Sequence, residues 1–345
     1  MLKLGLIGFG NVGQELARVL IEKEEDWAKN NNCTFKVTAI TTLSKGSLVN
    51  ETGIVLNRAL ADLAEAGRFN DKNPDLASIN PLELTQLDVV DVVIEISTLD
   101  IKSGQPASDH LISALKHGKD VITANKGPIA FKYHELRTLA SEMNRCLLFE
   151  GTVMDGTPVF NLIRETLMGC KINSFKGILN STTNYILTEM AAGTKYELAL
   201  SKARDLGFVE SDPSLDIDGW DAAAKVAALM NVIFDARITP HQVERMGIAK
   251  IGEEDIRKAD REGKTIRLIC EGYRDEHSCR GKVAPLAISL HDSLALIRGT
   301  SSALTLTTDL AGEITIESHN PQIRQTAYAL ISDLFALANK YYRQY

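Results

Sequence analysis

The stretch KLGLIGFGNVGQELARVL, residues 3 to 20, decides the fold of the N-terminal half of the chain. It places the three glycines of a GxGxxG pattern directly after an apolar strand and directly before an amphipathic helix. The first glycine permits a tight turn, the second lets the backbone approach a pyrophosphate, and the third lets the helix pack closely on the strand. The free N–H groups at the helix start would face the anion. We therefore predict a dinucleotide-binding turn, which consists of Gly8, Phe9, Gly10, Asn11, Val12 and Gly13.

The residues around this turn, from 1 to about 150, alternate short apolar runs with helical patterns. The run DVVDVVIEIS, residues 88–97, has the apolar character of a central strand that is covered on both faces. This rhythm predicts an α/β fold, with a doubly wound parallel sheet of the Rossmann type over residues 1–150. We expect a C-terminal helix, residues 320–345, to complete this domain, because its apolar residues repeat with helical spacing.

The sequence changes character after residue 150, and residues 151–319 predict a second, α+β domain that carries the catalytic groups. Its pattern predicts helices over 157–168, 183–192 and 219–231, and strands over 174–179, 265–273, 282–290 and 303–316. We expect these strands to form an open sheet.

The end of the second predicted strand bears on the choice of cofactor. NAD enzymes usually carry an acid about 20 residues beyond the glycine turn, whereas this strand runs into TTLSK, residues 41–45. Hydroxyl groups and a lysine suit a 2′-phosphate, so we favour NADP and keep NAD as the alternative. Later strands end beside further polar residues, at the edge where open α/β sheets bind ligands. The predicted cofactor contacts beyond the glycine turn are Thr42, Lys45, Ser97, Thr98, Asn125 and Lys126.

The densest cluster of charged residues in the second domain is LGFVESDPSLDIDGWDAAAKVAALM, residues 206–230. Asp221 and Lys225 are spaced i and i+4, so they share one face of a helix whose other residues are apolar. Burial would lower the pKa of Lys225 toward neutrality and fit it for proton transfer at a carbonyl. A structural ion pair is the alternative. Lys126, in VITANKGPIA, is a second candidate beside the nicotinamide, and a solvated loop lysine is its alternative.

Composition and charge exclude several classes of function. The net charge of −7 is spread over interspersed acids and bases, which argues against a nucleic-acid partner. No apolar run approaches the roughly 20 residues of a membrane span, and we find no signal peptide. The five cysteines are scattered and never spaced as CxxC, so we expect neither disulfides nor zinc, and a cytoplasmic location.

These motifs make the chain resemble the homoserine dehydrogenases over nearly its whole length. The matching segments are GFGNVG at 8–13, VITANKG at 121–127, ILNSTTNYIL at 178–187, LGFVESDPSLDIDGWDAAAK at 206–225 and TTDLAGE at 307–313. The resemblance implies NAD(P)-linked interconversion of L-homoserine and L-aspartate 4-semialdehyde, on the route to threonine and methionine. It further implies a homodimer built on the sheet of the second domain, and a monofunctional member without a C-terminal regulatory ACT domain.

The resemblance also implies roles for individual residues. Lys225 is similar to the family's proton donor and acceptor, and Lys126 to the lysine beside the reacting carbonyl and the cofactor. The residues that match the substrate-binding positions are Glu210, Asp221, Gly207 and Asp216. Those that match the ligands of a monovalent cation, such as sodium, are Glu150, Val153, Asp155 and Thr157.

Three segments differ from the family pattern. The family usually has a glycine pair where this chain has Met154 and Asp155, and a glycine where it has Ser181. The segment HNPQIRQ, residues 319–325, replaces a glycine-rich turn. Two alternatives therefore stay open: a related NAD(P)-dependent oxidoreductase acting on another small amino or hydroxy acid, and a dinucleotide-sensing protein without catalysis.

Overall fold

The computed structural model describes residues 1–207, 209, 212–275 and 278–342 of the chain, and of residues 341 and 342 only the backbone. The chain divides into two compact units. The first contains Met1–Pro158 and Gln322–Tyr345, and the second contains Val159–Pro321. The first unit is therefore assembled from two separate stretches of sequence.

The first unit is an α/β domain around one sheet. Its strands are β1 (Leu2–Ile7), β2 (Phe35–Thr41), β3 (Ser47–Val49), β4 (Leu76–Ala77), β5 (Val92–Glu95), β6 (Asp120–Thr123) and β7 (Leu147–Leu148). Its helices are α1 (Asn11–Asn30), α2 (Leu56–Ala66), α3 (Pro81–Leu84), α4 (Ala107–Lys116) and α5 (Lys126–Glu142), with the C-terminal helix Ile323–Tyr342. Within the described residues, the seven strands lie in the order β4-β3-β2-β1-β5-β6-β7.

Apolar side chains cover both faces of this sheet, which explains the continuous apolar runs of its strands. Ile94 of β5 packs in one core with Leu16 of α1 and Leu330 of the C-terminal helix. Its neighbour Val93 points the opposite way and packs in a second core with Leu111 of α4. The predicted doubly wound Rossmann-type fold is thereby confirmed.

The edge of the sheet differs from the prediction of a purely parallel arrangement. Strands β2, β1, β5, β6 and β7 run parallel, but β3 pairs antiparallel with β2 and β4 antiparallel with β3. These edge strands have three and two residues, so they are too short to show a periodic apolar pattern.

The second unit contains a six-stranded sheet within its described residues. Its strands are β8 (Ile172–Ile178), β9 (Glu244–Arg245), β10 (Lys264–Arg274), β11 (Cys279–Ser289), β12 (Ser302–Thr308) and β13 (Glu313–Ser318), in the order β13-β12-β8-β10-β11-β9. Its helices are α6 (Val159–Asn161), α7 (Ser181–Ala191), α8 (Tyr196–Asp205), α9 (Ser214–Ile217), α10 (Trp220–Phe234) and α11 (Glu253–Arg261). Helix α10 packs against β11, where Gly281 leaves room for the side chains of Val226 and Met230.

Two predicted elements of this unit were wrong in detail. The strand predicted over 303–316 is the hairpin of β12 and β13, because DLAG at 309–312 turns the chain: Gly312 has a φ of +69°, and Thr308 N–H donates to its carbonyl oxygen at 2.9 Å. The helix predicted over 157–168 is the single turn α6, which continues as a π-helical turn over Leu162–Thr166. In the described parts of the chain, no helix combines the length and the apolar character needed to cross a membrane.

Candidate active site

The glycine turn of the first unit has the geometry expected of a pyrophosphate cradle. Gly8 has a φ of +106°, and a Cβ there would collide with the carbonyl oxygen of Ile96. Gly10 precedes α1 and has open space in front of it, since a Cβ would meet no described atom within 4 Å. A Cβ on Gly13 would lie 3.1 Å from the carbonyl oxygen of Gly8. No side chain of the described residues caps α1, so its first N–H groups point at this space and are available to an anion.

A cavity of about 450 Å³ lies beside this turn. It is lined by residues 7–10, 41–45 and 96–98, with Pro81, Pro106 and His110. Lys45 reaches across it, because its ammonium donates a hydrogen bond to the carbonyl oxygen of Phe9 at 3.1 Å. Thr42 supports that loop by accepting a hydrogen bond from the backbone N–H of Lys45 at 2.8 Å. The volume suits a cofactor-sized ligand.

The predicted contacts on the later strands lie next to one another. Asn125 caps α5 by accepting a hydrogen bond from Gly127 N–H at 3.1 Å, and its amide lies 3.4 Å from the carbonyl oxygen of Ser97. Ser97 and Thr98 line the cavity, and Lys126 is the first residue of α5. These residues follow β5 and β6 at the carboxyl edge of the sheet, where ligands of open α/β sheets bind.

A compact polar cluster stands on helix α10 in the second unit. The Lys225 ammonium lies 3.5 Å from Asp221 Oδ2 and donates a hydrogen bond to the carbonyl oxygen of Leu179 at 2.6 Å. The predicted i, i+4 pair therefore forms, and its side chains are 16% and 15% exposed. Asn180 donates to Asp216 Oδ1 at 2.7 Å and to Asp221 Oδ2 at 3.0 Å. One amide thus joins two carboxylates, and the second of these holds the lysine.

The electrostatics of this cluster act on the pKa of Asp216. Burial raises the pKa of Asp216, and the nearby charge of Asp221 raises it further. The hydrogen bonds from Asn180 and Thr182 and the charge of Lys225 act in the opposite direction. A proton held here would reduce the repulsion between the two carboxylates that share the Asn180 amide.

Of the two remaining predicted substrate residues, the structure describes only Gly207. Gly207 is exposed, follows the end of α8 and has a φ of +79°. Glu210 lies outside the described residues.

The segment proposed for a cation has oxygen atoms of the right kind but gives no side-chain cluster. Glu150 and Val153 are buried, and the N–H of Thr157 donates to Met154. The carboxylate of Asp155 accepts a hydrogen bond from the hydroxyl of Thr326 at 2.8 Å. Among the described residues, no group of three or more His, Cys, Asp or Glu side chains can hold a metal ion. The cation site therefore stays a prediction.

Two departures from the family pattern meet at this place. Asp155, one of the two residues expected to replace a glycine pair of the family, has a φ of +50°, a conformation that residues other than glycine, asparagine and aspartate rarely adopt. Its partner Thr326 follows directly on the altered segment 319–325. The aspartate thus keeps the glycine-like backbone and adds a contact to the C-terminal helix.

The sequence prediction missed several polar residues at both sites. Asn180 was quoted only as part of a motif, although an asparagine between a strand and a helix is a signal for an N-cap. Glu95, His110 and Thr123 form a buried polar group beside the cofactor cavity. The signal for Glu95 was an acid inside a run of β-branched residues.

Comparisons with known proteins cover both units of the chain. The family model for the NAD-binding domain of homoserine dehydrogenase matches residues 8–150, and the homoserine dehydrogenase model matches residues 158–335. A homoserine dehydrogenase from Methanocaldococcus jannaschii is 37% identical over 338 residues, which cover 97% of this chain and 98% of that protein. An NAD(+)-dependent homoserine dehydrogenase from Pseudomonas canavaninivorans is 34% identical over 340 residues, which cover 96% and 95%.

A solved structure extends the likeness to three dimensions. A hyperthermophilic archaeal homoserine dehydrogenase in complex with NADPH superposes with a TM-score of 0.84, at 29% identity and with 98% of each chain covered. The two family models together, and each of the two relatives, span nearly the full length of the chain. The chain therefore belongs to the homoserine dehydrogenase family of nicotinamide-dependent oxidoreductases.

Proposed function

We propose that this chain interconverts L-homoserine and L-aspartate 4-semialdehyde, and that Lys225 moves the proton at the substrate oxygen. The observation that carries the proposal is the Lys225 ammonium, which is held by the Leu179 carbonyl oxygen and by Asp221 on a helix without other charged residues. A lysine fixed in this way keeps its donor group in one place, as proton transfer requires.

The nicotinamide cofactor supplies or accepts the hydride when it is bound. In the reductive direction Lys225 donates a proton to the aldehyde oxygen, and in the oxidative direction it takes the proton from the alcohol. Asp221 orients Lys225, and Asn180 fixes Asp221 against Asp216. We assign Lys126, at the start of α5, the role of the family's lysine beside the cofactor, where an ammonium stabilises developing negative charge.

We further propose that carboxylates hold the ammonium group of the amino-acid substrate. By resemblance to the family, Asp221 and Glu210 supply them, Gly207 contributes a backbone group, and Asp216 supports Asp221 through the shared Asn180 amide. Carboxylates suit an ammonium because charge-assisted hydrogen bonds are stronger than neutral ones.

The decisive test of the function is a cofactor assay with purified protein. Homoserine with NADP or NAD should produce an absorbance increase at 340 nm, and aspartate 4-semialdehyde with the reduced cofactor should produce a decrease. Turnover of a different hydroxy acid with no response to homoserine would reject the proposal. Binding of the dinucleotide without turnover of any such substrate would favour a sensing role.

NADP is the proposed preferred cofactor. Relatives include a protein named for NAD+ and a structure holding NADPH, so both cofactors occur in the family. In this chain β2 ends without an acid, and Lys45 faces the cavity beside it. Lys45→Ala should lower the ratio of kcat/KM for NADP to that for NAD by about tenfold, since a charged contact to the 2′-phosphate is lost. An unchanged ratio would favour NAD.

We also propose a cytoplasmic homodimer built on the sheet of the second unit. A cavity of about 640 Å³ lies on one face of this sheet, and Lys176, Glu271, Tyr273 and Thr305 line it. Light scattering after size exclusion should give a mass near twice the 37.8 kDa of the chain. A mass of one chain would reject the dimer.

A further inference from the structure

Glu95 is a fully buried carboxylate at the carboxyl end of β5, in the interior of the first unit's sheet. Burial of an acid is costly unless hydrogen bonds or a charge compensate it. Its Oε1 accepts hydrogen bonds from the backbone N–H of Ser97, at 3.2 Å, and from the Ser97 hydroxyl. The Thr123 hydroxyl lies 3.4 Å from Oε2, and Nδ1 of His110 lies 3.4 Å from Oε1. Glu95 thereby joins three elements, β5, β6 and α4.

The imidazole of His110 lies between this carboxylate and the cofactor cavity. It belongs to the first turns of α4, is only 5% exposed and lines the cavity together with the glycine turn. A carboxylate next to Nδ1 favours the tautomer with its proton on that nitrogen. Nε2 is then a hydrogen-bond acceptor on the other edge of the ring. No hydrogen bond in the described part of the chain engages Nε2.

The order of the strands indicates which half of a bound dinucleotide would contact the His110 ring. Strand β1 carries the pyrophosphate turn, and β2 and the loop after it lie on one side of β1. Strand β5 lies on the other side, and His110 and Thr98 line the cavity there. Because the two halves of a dinucleotide extend to opposite sides of the glycine turn, the β5 side belongs to the nicotinamide half. Its hydroxyl-bearing group is the ribose.

We propose that Nε2 of His110 accepts a hydrogen bond from a hydroxyl of the nicotinamide ribose, and that Glu95 is the positioning residue that orients the ring. The inference rests on the cofactor of the proposed function and goes beyond it by naming a binding residue. Glu95 is also linked to Asn125, a predicted cofactor contact. The Thr123 hydroxyl beside Glu95 accepts a hydrogen bond from Asn125 N–H at 2.9 Å. Glu95 thus orders the cavity wall on the side of the reacting ring.

The experiment compares a whole cofactor with its adenosine half. Binding of NADPH and of 2′,5′-ADP is measured by calorimetric titration of the wild type and of His110→Asn and His110→Gln. Asparagine replaces only the Nδ1 edge of the ring, whereas glutamine carries an acceptor close to the position of Nε2. His110→Asn should weaken NADPH binding by about tenfold and leave 2′,5′-ADP binding within about twofold, because one ligand hydrogen bond is lost. His110→Gln should restore most of the NADPH affinity.

Three further variants complete the design. Lys45→Ala should weaken both ligands, because its contact lies on the adenosine half. Glu95→Leu should reproduce the selective loss of NADPH affinity, and Glu95→Gln should restore it. The proposal is overturned if His110→Asn leaves NADPH affinity unchanged or weakens both ligands equally. Failure of the wild type to bind any nicotinamide dinucleotide would overturn the proposed function together with it.

Discussion

The glycine turn of the first unit and the Lys225 cluster of the second are built in different ways. At the turn the proposed cofactor contacts come from the backbone, and three glycines within six residues specify its shape. In the cluster the proposed functional groups are side chains from three segments: Asn180 before α7, Asp216 in α9, and Asp221 with Lys225 in α10. The turn should therefore tolerate only changes that leave its backbone free, whereas the cluster should respond to changes in charge and in hydrogen bonding.

The largest effect is expected at the cluster. Lys225→Ala should lower kcat by at least about 100-fold, the usual range for a general acid, and leave NADPH affinity nearly unchanged. Steady-state kinetics and a separate NADPH titration check this. Lys264→Ala is the matched control, because Lys264 is exposed and pairs with Glu262. Unaltered turnover of Lys225→Ala would remove the residue from its role.

The next largest effect tests the amide that joins the two carboxylates. Asn180→Asp keeps the oxygen that accepts from Thr183 N–H and caps α7, but it cannot donate to Asp216 and Asp221 and adds a third negative charge. We expect kcat/KM to fall by about 30-fold, and the melting temperature to fall as well, because Asn180 is buried and three carboxylates would then meet. Asn180→Ser is the control that keeps the cap without the added charge, and it should lose less. Equal losses of kcat/KM in the two variants would show that the missing amide donor, and not the added charge, causes the effect.

A matched pair of glycine variants separates ligand binding from stability at the turn. Gly10→Ala meets open space in the free protein, so it should weaken NADPH binding by about tenfold while the melting temperature changes by about 1 °C or less. Gly8→Ala places a Cβ against Ile96 at a positive φ, so it should destabilise the fold by about 2 kcal/mol. Denaturant unfolding and cofactor titration separate the two effects. Equal destabilisation by both variants would contradict the assignment of Gly10 to ligand approach.

The smallest expected effect concerns the stability of the cluster as a function of pH. Because the folded protein raises the pKa of Asp216 above its unfolded value, the folded state binds the proton more tightly. The stability gained from this proton on Asp216 is fully present below the pKa of the unfolded state. It is lost as the pH rises through the pKa of the folded state. Asp216→Asn should therefore raise the melting temperature at neutral pH relative to the wild type, and less so at acidic pH. A difference in melting temperature between Asp216→Asn and the wild type that grows on acidification would contradict a raised pKa of Asp216.

The same contrast explains which parts of the molecule could be predicted from the sequence. The strands β1, β5 and β6 and the helix α10 are covered on most sides, so their apolar patterns are long and regular. The pair of Asp221 and Lys225 was predictable because both residues stand on one helix. Its connection to Asn180 was not, since 36 and 41 residues separate Asn180 from Asp216 and Asp221.

The other misses have comparable physical causes. The short strands β3 and β4 are held mainly by backbone pairing, β3 with β2 and β4 with β3, so composition does not mark them. The hairpin of β12 and β13 was predicted as one strand because apolar residues continue through the turn at 309–312. Glu95 was not recognised because the partners that make its burial tolerable, Thr123 and His110, lie on other elements.

The interrupted sequence of the first unit has a consequence for biosynthesis. Leu330, Leu334 and Leu337 of the C-terminal helix are fully buried in the core of this unit, beside β1 and α1. A ribosome translates the whole second unit before these leucines, so the apolar groove that receives them stays uncovered for more than 160 residues of elongation. During that interval the nascent nucleotide domain exposes apolar surface that favours aggregation.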